Sequence, residues 1–401
     1  MIKPPTPLLY NRAPLSNLLA LVHLDVKLCT GKFHEQTLCL RFFTETRQFG
    51  GKMLSNKDMP VDHRSNSFDI MRHIAALAVI VSHHFAFNGL EEPKAFGVTK
   101  LGTFAVIVFF SISGFLITKS FYRSSDALSY IKKRILRISP GLIVCAFITS
   151  FIICGIFGKL GFIDWVTSLR AVKTFVYYSL FGSHATGESV NYFTSNYIFP
   201  NSVNSSLWTL LFEFMDYIAV IVIFTIFKNK LIGSLVFLFS AIALLIVNNH
   251  FSISSYLVDR AAALSIPFAI GSLLFSIENI WKDNNKVKAL LLLLSIVGIA
   301  ASPANDERSI LFLTAAATAV IIIGMSIKDI FIKGRFDFSY GIYIYAFPVQ
   351  QICSNLVSSN FYVSMACSFV ITIVLASMSW FFVEKKFLQR KVSSKLTQAS
   401  A

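Results

Sequence analysis

The chain has 401 residues, of which 55% are apolar and 14% are charged, and its mean hydropathy is +0.64. Soluble domains carry about 25% charged residues, so the composition excludes a soluble protein and predicts an all-α, polytopic bundle of membrane helices. The formal charge is +15, but the basic residues do not form a patch with interleaved aromatic residues. Nucleic acid is therefore not an expected partner. The six cysteines form no C-x-x-C pair and predict neither a disulfide framework nor a metal site.

The N-terminal segment, residues 1–60, is mixed and basic and contains no apolar run of span length. It also lacks the pattern of a signal peptide. Two alternatives remain open: a disordered cytoplasmic extension, or a mis-assigned start with Met53 or Met59 as the initiator. We assign 61–386 to the membrane domain and 387–401 to a cytoplasmic tail.

Ten apolar segments have about the length of a membrane span, which is roughly 20 residues. An eleventh, 169–182, is shorter and is interrupted by Lys173, so we expect it to lie along the interface or re-enter the membrane. The predicted spans are 71–90, 101–118, 139–158, 206–227, 231–248, 260–277, 287–302, 309–326, 338–357 and 362–383.

The distribution of basic residues predicts the topology, because cytoplasmic loops carry an excess of Lys and Arg. With the N-terminus inside and 169–182 not crossing, the cytoplasmic segments hold 29 of the 36 Lys and Arg residues and the outer segments hold 7. If 169–182 crossed, every later loop would change sides and the bias would collapse. We therefore expect a multi-pass protein of the inner, or cytoplasmic, membrane with both termini in the cytoplasm.

The first span carries ionisable residues that an ordinary span lacks. Arg72 lies at its cytoplasmic end and His83 follows eleven residues later, which at ~100° and ~1.5 Å per residue places both on one face, about 16 Å apart. His84 points away, and Asp69 lies one turn before Arg72, where it could pair with it. Intramembrane ionisable residues usually face a cavity or a partner, and imidazole exchanges protons near neutral pH. A structural hydrogen bond is the alternative for His83.

The second span contains the segment FFSISGFLI, with Ser113 and Gly114 in its middle. Small residues of this kind let a neighbouring helix or a ligand approach closely. Helix packing is the simpler interpretation, and contact with a bound donor is the alternative.

A basic cluster precedes the third span and includes Lys133, Arg134 and Arg137. Topology and attraction to anionic lipid explain such a cluster without a ligand. The alternative is a binding site for a phosphorylated cytosolic donor, since Arg134 and Arg137 are three residues apart and face the same way.

The longest predicted outer loop, 183–205, has no Lys or Arg and is rich in Ser, Asn and Tyr. Such side chains suit neutral polar ligands such as sugars, although a solvated loop has the same composition. The span that follows carries Glu213 and Asp216 one turn apart, with Trp208 near its outer end. Glu213 is a candidate to orient a histidine, accept from a substrate hydroxyl or form an ion pair, and a purely structural pair is the alternative.

The ninth span reads FSYGIYIYAFPVQQI and is unusually polar for a span, with Tyr345 among its tyrosines. So many polar groups on one helix suggest the wall of a cavity. A helix kinked at Pro348 with internally bonded hydroxyls is the alternative.

Taken in order, these segments resemble the membrane-bound acyltransferase family 3, from about Ser67 to Lys386. The resemblance rests on the Arg72–His83 spacing, FFSISGFLI, the basic run, SLWTLLFE, SYGIYIYAFPVQ and the closing FVEKKF. It implies about ten spans and transfer of an acyl group, often acetyl from acetyl-CoA as co-substrate with no bound cofactor. The acceptors it implies are mostly extracytoplasmic glycans, such as O-antigen, capsule or other surface polysaccharide.

Two positions depart from the family's usual pattern. Met71 precedes Arg72 where Gly-Leu-Arg is common, and Ala346 or Phe347 stands where a late histidine is common. No catalytic role is therefore assigned to that late position.

The residues and the resemblance lead to one hypothesis: acyl-CoA docks near Arg134, Arg137 and Lys133, and His83 deprotonates an acceptor hydroxyl. Arg72 would hold the donor or a carboxylate, or stabilise developing negative charge. Ser113 and Gly114 are further donor-binding candidates, Glu213 is a third catalytic candidate, and Asp69, His84, Trp208 and Tyr345 are supporting residues. The rival functions are a transporter or flippase of polysaccharide precursors, and a non-catalytic membrane scaffold.

Overall fold

The computed structural model describes residues 66–250 and 256–388. The expectations for residues 1–60, and for all but the first two residues of the tail 387–401, lie outside these ranges. Within them the chain is helical apart from loops and one two-stranded hairpin.

The helices follow one another with short connections. In chain order they are α1 (Phe68–Phe87), α2 (Leu101–Tyr122), α3 (Ala127–Phe147), α4 (Cys154–Phe157), α5 (Phe162–Val166), α6 (Leu169–Ser179), α7 (Trp208–Ile226), α8 (Lys230–His250), α9 (Tyr256–Ser276), α10 (Glu278–Trp281), α11 (Asn285–Ala300), α12 (Ile310–Ser326), α13 (Ser339–Ile352) and α14 (Phe361–Ser379). Short 3-10 turns lie at Gly187–Val190 and Ser205–Leu207, and π-helical turns extend α3, α13 and α14 at Ile148–Ile153, Cys353–Val357 and Trp380–Glu384. The strands are β1 (Lys94–Ala95) and β2 (Thr99–Lys100).

The predicted helix bundle is confirmed, and each of the ten predicted spans falls on a helix. Among the described residues, seven helical segments are long and apolar enough to cross a membrane. The helices of the other three predicted spans are shorter, with 16 residues in α11, 17 in α12 and 14 in α13. The count of ten therefore stays a prediction.

The outer surface of the bundle is apolar, as a lipid-facing surface must be. On α11 alone Leu290, Leu293, Leu294, Ile296 and Val297 are each more than half exposed. Helices are the elements that satisfy their own backbone hydrogen bonds in lipid. The chain is thus a multi-pass membrane protein.

The centre of the bundle is formed by α1, α2, α9 and α13, with α2 packed closely on α9. A Cβ atom at Gly114 of α2 would lie 1.9 Å from the Phe268 carbonyl oxygen, and one at Gly271 of α9 would lie 2.1 Å from the Ser111 carbonyl oxygen. The two glycines therefore let the backbones of α2 and α9 touch, in the manner of small-residue contacts between membrane helices.

The hairpin between α1 and α2 turns the chain back after α1. Phe96 and Gly97 at its turn have φ of 54° and 69°, the left-handed conformations that tight hairpin turns require. The Leu101 N–H donates to the Pro93 carbonyl oxygen at 2.8 Å, so the chain folds back at the start of α2. This return brings Glu92 beside the end of α1.

The segment 169–182, expected not to cross the membrane, contains α6, an 11-residue helix. Its length is about half of what a helical span needs. Ser168 caps its N-terminus by accepting from the Ala171 N–H at 3.2 Å, and its face with Leu169, Val172 and Val176 is exposed. The helix packs along α3, and its exposed apolar face suits the membrane interface.

Candidate active site: two cavities that meet inside the bundle

One cavity, of about 320 Å³, contains His83 and is called here the histidine cavity. It lies at the end of the bundle where α1 ends and α2 and α7 begin. Its walls combine charged, hydroxyl and aromatic groups: Glu92, Lys100, Ser205, Ser206, Arg260, Glu307, Arg308, Trp208, Phe199 and Phe347. Such a mixture of polar groups and ring faces is typical of a site for a polar ligand.

His83 pairs with a carboxylate in this cavity, and that carboxylate is Glu92. The His83 Nδ1 atom lies 3.6 Å from Glu92 Oε2, and the His83 side chain is 29% exposed. Ser82 Oγ donates to the same Glu92 oxygen at 2.7 Å, and Lys100 Nζ donates to the other at 3.0 Å. The imidazole is further held by the edge of the Phe347 ring, with ring centres 5.7 Å apart.

Glu92 is ionised throughout the physiological pH range. Burial alone would raise the pKa of its carboxyl group, but His83, Ser82 and Lys100 outweigh burial and lower the pKa to about 2. An ionised carboxylate beside Nδ1 fixes the orientation and tautomer of an imidazole. The other ring nitrogen is then the one suited to take a proton from a ligand.

The predicted outer loop, 183–205, contributes to the wall of this cavity. Phe199 and Ser205 line the cavity. Gln351 on α13 holds the loop there, because its Nε2 donates to the carbonyl oxygens of Phe199 at 2.8 Å and Ser202 at 2.7 Å. Trp208, the first residue of α7, also lines the cavity.

The second cavity, of about 330 Å³, enters from the opposite end of α1 and is called here the basic cavity. Four cations line it: Arg72, Lys133, Arg134 and Arg137. One carboxylate, Glu213, lines it as well, together with Ser113, Thr209, Tyr217, Tyr340 and Tyr343.

The guanidinium of Arg137 is already bound by two carboxylates. It donates to Glu384 Oε2 at 3.1 Å and, through its other terminal nitrogen, to Asp337. Burial would raise the pKa of Asp337, but the charges of Arg137 and Arg72 lower it to about 2. This arrangement joins the middle of α3 to the start of α13 and to the π-helical turn after α14, so it gives Arg137 a structural task besides its place on the cavity wall.

Arg72 and Arg134 keep more donor capacity. Within the described chain no hydrogen bond holds the Arg72 guanidinium. Among the described residues Arg134 donates only to Ser120 Oγ, at 3.3 Å, and its Nε is buried there without a hydrogen-bond partner. Lys133 Nζ donates to Ser124 Oγ at 2.9 Å. Guanidinium and ammonium groups gathered in this way suit an anionic ligand such as a phosphate.

Glu213 lies in the basic cavity and not beside His83. Its Oε1 accepts from Ser113 Oγ at 2.8 Å and from Tyr217 Oη at 2.5 Å. Glu213 therefore does not orient His83, because the carboxylate next to His83 is Glu92. Its neighbour Asp216 faces α9, where it accepts from Ser265 Oγ at 2.6 Å.

Four further residues that the sequence suggested for the site line neither cavity. His84 is buried, with Nε2 2.9 Å from the Phe361 carbonyl oxygen, so it fastens α1 to α14. Gly114 packs on the backbone of α9, and Tyr345 is buried in the core. No ion pair forms between Asp69 and Arg72 among the described residues. The Asp69 carbonyl oxygen lies instead 2.7 Å from His73 Nδ1.

The two cavities are adjacent within the bundle, because Val106 and Tyr343 line both. Arg72 and His83 lie eleven residues apart on α1 and open into different cavities. The carboxylates that contact His83 and Arg137, which are Glu92, Asp337 and Glu384, were missed by sequence reasoning. The proximity of Glu92 to His83 was the one available signal, and it is weak because a loop of unknown course separates them.

The chain is similar to known acyltransferases over most of its length. The family model described as an acyltransferase domain (Acyl_transf_3) matches residues 65–381. A protein named O-acetyl transferase from Shigella phage Sf6 is 35% identical over 339 residues, which cover 82% of this chain and 97% of the relative. Nodulation protein 10 of Rhizobium leguminosarum bv. viciae is 26% identical over 357 residues, covering 82% of this chain and 95% of the relative.

No solved structure matches the chain. Membership in an enzyme family favours the acyltransferase over the transporter and scaffold alternatives. The family match spans nearly the whole described bundle and includes the full lining of the histidine cavity and all of the basic cavity's lining except Phe387 and Leu388. The chain therefore belongs to the acyltransferase 3 family and is an integral membrane O-acyltransferase.

Proposed function

We propose that the protein moves an acetyl group from acetyl-CoA to a hydroxyl group of an extracytoplasmic carbohydrate, such as O-antigen, capsule or another surface polysaccharide. One observation carries the proposal: a cation-lined cavity and a cavity with a His–Glu pair lie toward opposite ends of the bundle and share the lining residues Val106 and Tyr343. A membrane enzyme with a cytosolic donor and an outer acceptor needs such a pair of entrances. The name of the phage relative, an O-acetyl transferase, supports acetyl as the group transferred.

The proposed orientation places the basic cavity toward the cytoplasm, where acyl-CoA is made. Of the 36 Lys and Arg residues, 29 then lie on the cytoplasmic side, which agrees with the positive-inside rule. Both termini would be cytoplasmic, and the membrane would be the inner membrane of the cell.

In this scheme the phosphates of the donor bind Arg134 and Lys133 near the mouth of the basic cavity, with Arg72 deeper along α1. Arg137 contributes less, because Asp337 and Glu384 already bind its guanidinium. The thioester end of the donor then points toward Val106 and Tyr343, and no tightly bound cofactor is needed.

The acceptor enters the histidine cavity from the outer side. Phe199, Phe347 and Trp208 offer ring faces to a sugar, and Ser205 and Ser206 offer hydroxyl groups. His83, oriented by Glu92, acts as general base on the acceptor hydroxyl.

The chemistry is a direct transfer in which each proton and bond is accounted for. His83 takes the hydroxyl proton while the acceptor oxygen attacks the carbonyl carbon of the thioester. The new C–O bond forms, the C–S bond breaks, and the thiolate of coenzyme A leaves with the electron pair. The protonated imidazole then returns its proton to that sulfur, which regenerates the base.

A transfer assay with the full-length protein tests this proposal. Purified protein in lipid vesicles would receive acetyl-labelled acetyl-CoA and surface or lipid-linked polysaccharide from cells that carry the gene. We expect label in the polysaccharide as an ester that mild alkali releases. Polysaccharide that stays unlabelled, or labelled through an alkali-stable amide, would contradict the proposal.

A further inference from the structure

We propose that Val106 and Tyr343 form a constriction that reads the size of the acyl group, and that it admits acetyl in preference to longer acyl chains. The inference rests on the proposed function, because it concerns the donor of the same reaction. It deepens that function by naming the residues that set the class of acyl-CoA used.

Val106 and Tyr343 lie between the donor-binding cations and His83. Val106 and Tyr343 line both the basic and the histidine cavity. Arg72 and Arg134 lie on one side of them and His83 on the other. A thioester held by the cations and attacked by a hydroxyl beside His83 must therefore place its carbonyl carbon near this pair.

The pair is also rigid. Tyr343 Oη lies 2.6 Å from Thr209 Oγ1, and the edge of its ring packs on Phe109 with ring centres 5.6 Å apart. Val106 is 8% exposed and Tyr343 is 7% exposed. A β-branched valine in a helix has one strongly preferred rotamer, so neither wall can move aside cheaply for a larger group.

The limited space in the histidine cavity favours a short acyl chain on the donor. The acceptor hydroxyl must reach both His83 and the carbonyl carbon, so the acyl tail and the acceptor compete for the same part of the histidine cavity. Each additional methylene pushes the tail against Val106 or into the space of the acceptor. Pockets of this type discriminate about 10-fold or more for each methylene.

The test is a competition among donors. Purified full-length protein would receive equal concentrations of acetyl-, propionyl- and butyryl-CoA with the acceptor polysaccharide, and mass spectrometry would give the ratio of the esters formed. We expect wild-type protein to give mainly acetyl esters. Val106→Ala should raise the butyryl-to-acetyl ratio by about 10-fold or more, and Val106→Ile should lower the propionyl-to-acetyl ratio.

Val108→Ala is the matched control, because Val108 lies on the same helix, is 6% exposed and lines neither cavity. We expect it to keep the wild-type ratio. An unchanged ratio in active Val106→Ala protein would overturn the inference, and the isoleucine variant decides if the alanine variant does not fold. Failure of the proposed function looks different, since wild-type protein would then transfer none of the three acyl groups.

Discussion

Glu92 Oε2 lies 3.6 Å from His83 Nδ1, although Glu92 is in a loop and His83 is in the last turns of α1. The contact depends on the hairpin that returns the chain to α2, and Lys100 at the end of that hairpin binds the second oxygen of Glu92 at 3.0 Å. Ser82 ties the same assembly to α2, since its hydroxyl accepts from the Gly102 N–H at 2.9 Å. The carboxylate is thus held rigidly beside the imidazole.

Glu92 positions His83, so Glu92→Gln should lower kcat by about 10-fold or more with little change in the KM for the donor. The melting temperature should change little, because the fold keeps its other contacts around the hairpin. Steady-state kinetics and thermal unfolding in detergent would measure both effects.

Glu91→Gln is the matched control for this variant. Glu91 is the neighbouring residue, but its side chain is 78% exposed and pairs with Lys94. It should leave kcat and the KM for the donor unchanged. A Glu92→Gln enzyme whose kcat and melting temperature fall together would indicate a structural role and contradict the positioning role.

Arg137 should be needed mainly for stability. Arg137→Met leaves Asp337 and Glu384 without their shared cation, and breaking a buried ion pair in this way typically costs 3–5 kcal/mol. We expect a markedly lower melting temperature in detergent. Adding Glu384→Gln to Arg137→Met should restore part of the loss, and a melting temperature equal to that of the wild type would contradict the assignment.

Arg72 and Arg134 should act on the donor. Arg72→Met and Arg134→Met should each raise the KM for acyl-CoA by about 10-fold, the scale of one lost charge-assisted hydrogen bond. Wild-type KM should rise with ionic strength, because salt screens the attraction between the cations and the phosphates. Lys132→Met is the control, since Lys132 is exposed and does not line the basic cavity. An equal increase in KM for Lys132→Met would argue against a specific site.

Acid should destabilise the protein in a defined pH window. The pKa of Glu92 falls from 4.5 to about 2 and that of Asp337 from 3.8 to about 2 on folding. Both carboxylates therefore stabilise the fold fully above these ordinary values and lose that contribution as the pH falls toward 2. Melting temperatures should decline across this window, and Glu92→Gln should flatten the decline. An identical decline in Glu92→Gln would show that Glu92 contributes nothing to it.

The helices of this fold could be predicted well from the sequence, and the contacts between them could not. Apolar runs place every predicted span on a helix, because span length and hydropathy are local properties. The positive-inside count also anticipated that 169–182 would not cross, and α6 is too short to do so. Close approach of α2 and α9 at Gly114 and Gly271 depends on two backbones and has no local signature beyond small residues.

For the site, helix periodicity alone placed Arg72 and His83 on the cavity-lining face of α1. The same periodicity turned His84 by ~100° from that face, and His84 lies 2.9 Å from the Phe361 carbonyl oxygen at the start of α14, away from both cavities. Arg137 was assigned to the donor since its partners are 200 and 247 residues away in sequence. The role of Glu92 depends on the course of a hairpin, which no periodic pattern encodes.

The most direct test of the account compares His83→Ala with His84→Ala in the vesicle transfer assay, with melting temperature as the check on folding. If His83 is the general base, His83→Ala protein should keep its melting temperature and lose at least about 100-fold in acetyl transfer, the lower end of the effect of a general base. His84→Ala should lose stability and keep its turnover per folded molecule. Wild-type turnover from folded His83→Ala protein would contradict the central claim that His83 is the base.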